Sequence, residues 1–251
     1  MTDVTRRDFT RQSLGSLLTY SLLETVASQD AFAAEVKPTA VKWLADLNDL
    51  AQSVKGQTLR QVDWQKKVED LFAQVDLPDL LKFVDFDKLA AKNPPIDRGA
   101  RSIRPKFPDV EGLPKNLVFG KQIFALKKGR SVVPHGHNNM ATAFLILKGN
   151  LHGRHYDRLE DAAEHFVIRP TIDRSFKPGE YSTVSDYKDN IHWFEASTET
   201  AYIFNLHVLN VRPGSKLPGG RIYLNPNGEK LAGGLIKAPR IGYKQAHDLF
   251  G

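Results

Sequence analysis

Apolar residues between positions 37 and 92 recur at steps of three and four, the spacing that places side chains on one face of a helix. Gly56 follows the first of these runs, Pro78 interrupts the pattern after the second, and Asn93-Pro94-Pro95 stops it. Residues of these types are typical of helix ends and turns. We therefore predict three helices, over Val41–Val54, Leu59–Val75 and Leu80–Ala91.

From Asn116 onwards the pattern changes to short β-type runs, separated by turn residues such as Gly149-Asn150 and Pro178-Gly179. Short strands at this spacing are typical of an antiparallel barrel or jelly roll. The predicted fold class is therefore mostly β, with a helical segment before the barrel. The tail over 211–251 is rich in Gly and Pro, and we expect it to pack on the outside. The predicted strands are 117–126, 130–135, 141–148, 151–157, 165–168, 181–185, 190–196 and 201–209.

The beginning of the chain differs from both patterns. Arg6-Arg7 is followed by a polar residue and Phe9, a mildly apolar stretch runs from Leu14 to Val26, and Ala31-Phe32-Ala33 supplies small residues around a larger one. The segment resembles a twin-arginine export signal with its cleavage site. This resemblance implies export of the folded chain to a bacterial periplasm, with the twin-arginine export machinery as a partner. An amphipathic N-terminal helix is the alternative.

These patterns divide the chain into a signal over 1–34, a helical segment over 35–93 and a barrel with its tail over 94–251. The apolar stretch in the first part is too short and too polar for a transmembrane helix, which needs about 20 apolar residues. No other stretch is long and apolar enough. We therefore expect no stable membrane span.

Composition excludes several kinds of chemistry. The chain of 251 residues has no cysteine, so it has no disulfide scaffold, no thiolate zinc site and no cysteine nucleophile. Its formal net charge is +6, but the Lys and Arg residues are scattered along the chain. Scattered charge is typical of a solvated surface, and we predict no nucleic-acid partner.

His135-Gly136-His137 is the strongest candidate for chemistry. Residues i and i+2 of a β-strand point to the same face, so the two imidazoles are able to grip one metal ion. His192 lies on a predicted inner strand and is the candidate third ligand. A three-histidine facial site leaves positions open for substrate and oxygen, as in non-haem iron enzymes.

Two motifs carry a resemblance to the cupins. Pro134–Met140 followed by Gly149–His152 and Tyr156-Asp157 resembles the first cupin motif, and Thr142 stands where most cupins have a glutamate ligand. This difference narrows the resemblance to cupins that bind metal with three histidines. Among these, the chain is most similar to thiol dioxygenases of the cysteamine and plant cysteine oxidase type, whose second motif matches Asn190–Ala196. The resemblance extends over roughly 37–210.

The resemblance implies a metal site of His135, His137 and His192. It also implies Fe(II), although three histidines suit other divalent metals too. The expected reaction is the oxidation of a small thiol or peptide cysteine by O2 to a sulfinate. The chain departs from the family at Thr198-Glu199, where the family has Thr-Pro, and at Phe204, near the position of an aspartate that orders the family's active site.

Strand alternation predicts which side chains surround the metal. With His192 pointing inward, Phe194 also points inward, and Phe144 follows from Thr142 in the same way; we expect both phenylalanines to contact substrate. His152 and Tyr156 share one face of the next strand and are the candidate catalytic residues. Arg154 shares that face and is the candidate partner of a substrate carboxylate.

Three functions remain open at this stage. The first is an exported iron-dependent thiol dioxygenase with a small-molecule substrate. The second is a metal-dependent dioxygenase that acts on a non-thiol chelating substrate, which the loss of the family's aspartate at Phe204 favours. The third is a cupin that binds a metal or ligand without catalysis.

Overall fold

A computed structural model describes residues 39–215 and 219–251. The predicted signal over 1–34 lies outside the described residues. In the described chain, five α-helices and twelve β-strands follow one another. The helices are α1 (Ala40–Lys55), α2 (Gln61–Ala73), α3 (Leu77–Phe83), α4 (Phe86–Lys92) and α5 (Tyr243–Phe250). The strands are β1 (Arg101–Ile103), β2 (Gly120–Lys127), β3 (Ser131–Asn138), β4 (Met140–Lys148), β5 (Leu151–Asp161), β6 (His165–Phe176), β7 (Tyr181–Val184), β8 (Ile191–Ala196), β9 (Thr200–Leu209), β10 (Gly220–Leu224), β11 (Glu229–Lys230) and β12 (Ile236–Ile241).

The first two predicted helices match α1 and α2, while the third prediction covers two short helices. The hydroxyl of Thr39 caps α1, because it accepts a hydrogen bond from the backbone N–H of Lys42 at 3.4 Å. The carboxylate of Asp76 caps α3 in the same way through Asp79, at 3.0 Å. Asp85 separates α3 from α4, because its backbone has a φ of 49°, which a helix interior does not adopt.

The strand order identifies the barrel. One sheet has the order β1-β2-β9-β4-β7, and the other has the order β10-β3-β8-β5-β6-β12-β11. Within them, the four-stranded groups β2-β9-β4-β7 and β3-β8-β5-β6 face each other with antiparallel neighbours, which is the jelly-roll arrangement of two interleaved sheets. The predicted fold class, a double-stranded β-helix behind a helical segment, is confirmed.

Two apolar layers result from this arrangement. The helices cover the outer face of the five-stranded sheet, where Trp43 of α1 and Phe72 of α2 pack with Phe204 of β9. Between the sheets, a second cluster fills one end of the barrel with residues such as Phe144 and Phe194. The other end of the barrel is the one that carries the histidines.

The tail differs from its prediction. It does not only pack outside, because β10 and β12 extend the seven-stranded sheet. β10 pairs with β3, and its register places Arg221 opposite His137 and Tyr223 opposite His135. The sequence does not reveal this strand, because it has only five residues and Gly and Pro residues flank it. Its alternation is therefore too short to be recognised.

Among the described helices, none has the length and apolar character needed to cross a membrane.

Replacing Trp43 by Ala tests whether the helical segment is an integral part of the fold. Trp43 is fully buried, and its indole N–H donates to the carbonyl oxygen of Leu71 at 3.0 Å. We expect Trp43→Ala to lower the free energy of unfolding by about 3–5 kcal/mol, measured by urea denaturation. Val62→Ala, at a position that is 42% exposed on α2, is the control and should change it by less than about 0.5 kcal/mol. A Trp43→Ala change as small as the control would show that the helices are dispensable.

Candidate metal centre

The three predicted histidines converge inside the barrel. His135 and His137 lie on one face of β3, and His135 pairs directly with His192 on the neighbouring strand β8. Their ring centroids are 4.2 Å apart for His135 and His192, and 4.9 Å apart for each pair that includes His137. One nitrogen from each ring lies within 4.8 Å of the others. This group could therefore hold a metal ion.

Hydrogen bonds fix which ring nitrogen faces the centre of the group. Nδ1 of His135 lies 2.8 Å from the carbonyl oxygen of Val133, and Nδ1 of His192 lies 3.2 Å from that of Asn190. A carbonyl oxygen only accepts, so both Nδ1 atoms carry the proton and both Nε2 atoms keep a free lone pair. These are the bonds that orient histidine ligands in metalloproteins.

Thr142 completes this pattern at the third histidine. Its hydroxyl oxygen lies 3.2 Å from Nδ1 of His137, and a hydroxyl is able to accept from an imidazole N–H as a carbonyl does. Thr142 thus occupies the glutamate position of the resemblance as an orienting group for His137. With Nδ1 engaged in all three rings, every Nε2 is available to one ion.

Burial keeps the cluster neutral. It lowers the pKa of His192 to about 3 and lowers the pKa values of His135 and His137 well below 6.5, and the neighbouring histidines add to the effect at the latter two. Nε2 of His192 is buried without any hydrogen-bond partner in the described chain. A buried acceptor atom without a partner destabilises the fold unless it binds a ligand. The donor set fits a divalent transition metal, because neutral imidazole is a ligand for Fe, Zn, Cu and Ni.

Gly136 lets the loop before β8 approach strand β3 between the two histidines. A Cβ on Gly136 would come within 2.6 Å of the side-chain oxygen of Asn190, so no larger residue fits there. The amide N–H groups of Asn190 donate to the carbonyl oxygens of His137 and Ser185, each at 2.8 Å. The spacer between the histidines is thus a close-approach position.

Phe144 and Phe194 form the inner wall of the cluster. Both point inward as predicted, and the ring of Phe144 lies 4.9 Å from that of His192 and 5.0 Å from that of Phe194. Both side chains are fully buried, and neither lines the cavities on the open side of the cluster. They pack on the inner side of His192, and their contact with substrate stays a prediction.

The candidate side chains of β5 share one face, and that face is the outer one. Gly153 and His155 face the barrel interior opposite Phe194 and His192, while His152, Arg154 and Tyr156 face outward. The imidazole of His155 is buried, 6.2 Å from the ring of His192, and Nε2 lies 3.4 Å from the hydroxyl of Ser182.

The three outward residues of β5 have partners of their own. His152 contacts the carboxylate of Asp173, and Tyr156 is buried in a separate apolar cluster with Phe166 and Ile191. The guanidinium of Arg154 stacks 4.2 Å from the ring centre of Trp193 and lies 3.5 Å from the carboxylate of Glu195. None of the three lines a cavity beside the histidines. Their predicted roles in catalysis and carboxylate binding do not follow from this placement.

A cleft opens on the other side of the cluster. A cavity of about 390 Å³ touches His137, and one of about 230 Å³ touches His135. Arg221 and Gln122 line both cavities, so the two cavities adjoin over the histidines and together form the cleft. Residues that sequence reasoning missed line this cleft as well: Asn205, His207, Tyr223 and His247.

Phe204 does not occupy the position of an active-site aspartate. It points away from the cleft into the helices, and the adjacent Asn205 faces the barrel interior opposite Phe144 and Gln122. The support that Phe204 gave to a non-thiol substrate is therefore lost. Glu199 lies on the surface, 3.7 Å from Lys128, and is not part of the cluster.

The neutrality of the cluster predicts how the stability of the metal-free protein depends on pH. The pKa of His192 is about 3 in the folded chain and near 6.5 when unfolded, so the unfolded state binds more protons between these values. The contribution of these buried histidines to the free energy of unfolding should be constant above pH 6.5. Below it, the free energy of unfolding should fall by about 1.4 kcal/mol per pH unit for each buried neutral histidine. Urea denaturation in the presence of chelator at pH 7, 6 and 5 measures the slope.

His192→Gln is the matched variant for this measurement. It removes one titrating group, so the slope of stability against pH should be shallower than in the unchanged protein, whatever the absolute stability of the variant. Equal slopes below pH 6.5 would contradict a buried neutral His192.

Comparisons with known proteins give matches among solved structures. No family model and no curated protein matches the chain. It is similar to a conserved protein with a double-stranded β-helix domain from Klebsiella pneumoniae, with a TM-score of 0.35 and 10% identity over 53% of this chain and 85% of that chain. It is also similar to a cupin superfamily protein from Desulfitobacterium hafniense, with a TM-score of 0.32 and 15% identity over 48% of this chain and 87% of that chain.

Oxalate oxidase and 11S globulins are among the further matches. Recombinant oxalate oxidase matches with a TM-score of 0.34 and 16% identity, over 51% of this chain and 56% of the oxidase chain. The chain spans less than a third of the length of the plant 11S globulins that also match. At these levels of similarity, the strand order given above remains the ground for the fold, and the residues of the cleft are the ground for any function.

Proposed function

We propose that this protein is an Fe(II)-dependent dioxygenase that oxidises a small thiol to a sulfinate. The observation that supports it best is the set of three buried, neutral imidazoles with all three Nε2 atoms free. No carboxylate belongs to the cluster among the described residues. A cation held by three neutral ligands keeps its full charge, which favours an anionic co-ligand such as a thiolate and lowers the pKa of the thiol that binds.

The residues around the cluster have separate tasks in this reaction. The ion would supply the coordination positions and the redox chemistry that bring thiolate and O2 together. His135, His137 and His192 hold it, and the backbone carbonyls of Val133 and Asn190 keep two of these rings in orientation. Phe144 and the rings behind it close the inner side, so substrate would reach the site from the cleft.

The reaction needs no further reductant. Two S–O bonds form while the O–O bond of O2 breaks, so that a thiolate and O2 give a sulfinate. Sulfur loses four electrons, and the two oxygen atoms gain them.

A chelating substrate without sulfur is the second candidate. The polar side chains on the open side of the cluster favour it, because Gln122, Asn138 and Asn205 offer amide groups to an oxygen-rich ligand. A metal-binding cupin without catalytic activity is the third possibility and shares the same cluster.

Oxygen uptake by the iron-loaded protein tests the first proposal. Protein loaded with Fe(II) under anaerobic conditions should hold about one iron per chain and should consume O2 on addition of a thiol. Mass spectrometry should find the thiol heavier by two oxygen atoms. His192→Ala should lose both iron and uptake, because the remaining two histidines leave the ion weakly held.

His165→Ala is the matched control, since His165 lies on β6 outside the cluster. It should retain iron and uptake. O2 uptake with chelating non-thiols alone would favour the second candidate, and a full iron content without uptake on any substrate would favour the third. Full iron content in His192→Ala would contradict the site itself.

We also propose that the chain is exported to the periplasm by the twin-arginine route. Arg6-Arg7 and the stretch over 14–33 support this. A reporter fused after residue 34 should reach the periplasm of a bacterial host, and the pair Arg6→Lys with Arg7→Lys should leave it in the cytoplasm in cell fractionation. A reporter that still reaches the periplasm with both lysines would contradict this route.

A further inference from the structure

Arg221 lies over the open side of the histidine cluster. It belongs to β10, where its register places it opposite His137, and its side chain lines both cavities of the cleft. The guanidinium makes no ion pair and no hydrogen bond with any described residue. By contrast, Arg212 and Arg158 have carboxylate partners in Asp186 and Asp161, at 3.9 and 3.4 Å.

The charge of Arg221 acts on the whole cleft. It contributes to the lowered pKa values of His207 and His247, which line the two cavities. No aspartate or glutamate is among the described residues that line the two cavities. A bound divalent cation and this guanidinium would therefore repel each other unless an anion lies between them.

Further polar groups surround the same space. Asn205 is 4% exposed, and its side-chain oxygen is buried without a partner in the described chain. Gln122 and His207 lie beside it in the larger cavity. An unpaired buried oxygen at this place is suited to accept a hydrogen bond from an ammonium or hydroxyl group of a bound molecule.

We propose that Arg221 binds the carboxylate of the substrate and makes this protein specific for small carboxylates. The metal-binding group of such a molecule lies at the three histidines, and its carboxylate lies between them and the guanidinium, which is the residue type best suited to bind carboxylate oxygens in pairs. This inference rests on the proposed metal-dependent function. It assigns to Arg221 the role that the sequence suggested for Arg154, whose guanidinium already has Glu195 and Trp193 as partners.

The test compares two thiols that differ in the carboxylate. Cysteine carries it and cysteamine lacks it, and calorimetry under anaerobic conditions measures their dissociation constants with the Fe(II)-loaded full chain. We expect cysteine to bind more tightly. Arg221→Met should weaken cysteine binding by about tenfold to a hundredfold, the effect of losing a charge-assisted contact, and leave cysteamine binding nearly unchanged. Arg221→Lys should restore part of the difference.

Arg154→Met is the matched control and should retain the preference for cysteine. A second readout is independent of substrate: Arg221→Met should bind Fe(II) at least as tightly as the unchanged chain in a titration against a competing chelator, because it removes a positive charge beside the site. Weaker iron binding in this variant would show a structural role for Arg221 and would overturn the inference.

Non-thiol ligands separate the two proposals. If glycolate binds to the iron-loaded protein in an Arg221-dependent manner while neither thiol binds, the carboxylate specificity stands and the thiol dioxygenase proposal fails. If cysteine and cysteamine bind equally well and Arg221→Met changes neither, the role of Arg221 fails while the thiol proposal stands.

Discussion

The pairing of β3 with β8 is the constraint on which the candidate site depends. Side chains of a strand alternate between two faces, so a shift of one residue in this pair would send His135 and His137 out of the barrel. The β-bulge between Val132 and His135 sets the register that brings His135 opposite His192. The backbone near the bulge also supplies the carbonyl of Val133 that orients His135. One irregularity thus fixes both the place and the tautomer of a ligand.

The same strand β3 has a second neighbour, which makes the cleft. β10 comes from the C-terminal tail and pairs with β3 on the side away from β8. Because Arg221 and Tyr223 alternate in step with His137 and His135, the tail adds a cation and an aromatic ring to the rim of the cluster. The metal group is built from the central strands of the barrel, while its charge environment is built from the last part of the chain.

The sequence was sufficient to predict the three histidines of the cluster and insufficient to predict the residues around them. His135-Gly136-His137 obeys the period of a strand, so its shared face followed from geometry alone. On β5 the same rule gives the shared face of the candidate residues but not which face points inward, because the inner face carries Gly153, where a Cβ would come within 2.5 Å of the ring of Phe176. The rings of Phe176 and Phe194 on the neighbouring strands fill the space beside Gly153. The inner positions of β5 therefore lack the large apolar residues that would mark them as inner positions in the sequence. Arg221 could not be found at all, since its role comes from a long-range pairing.

Charge connects the histidine cluster with the cleft above it. Burial holds the ligating histidines neutral, so nothing in the cluster offsets the charge of a cation. The described residues that line the cleft add the positive charge of Arg221 and no negative one. A cation among the buried histidines is costly without a counter-ion, while Arg221 is exposed and its guanidinium keeps its contact with solvent. The fold therefore leaves the balancing charge to the bound molecule, and a neutral molecule would leave the cation inside the barrel without a counter-ion.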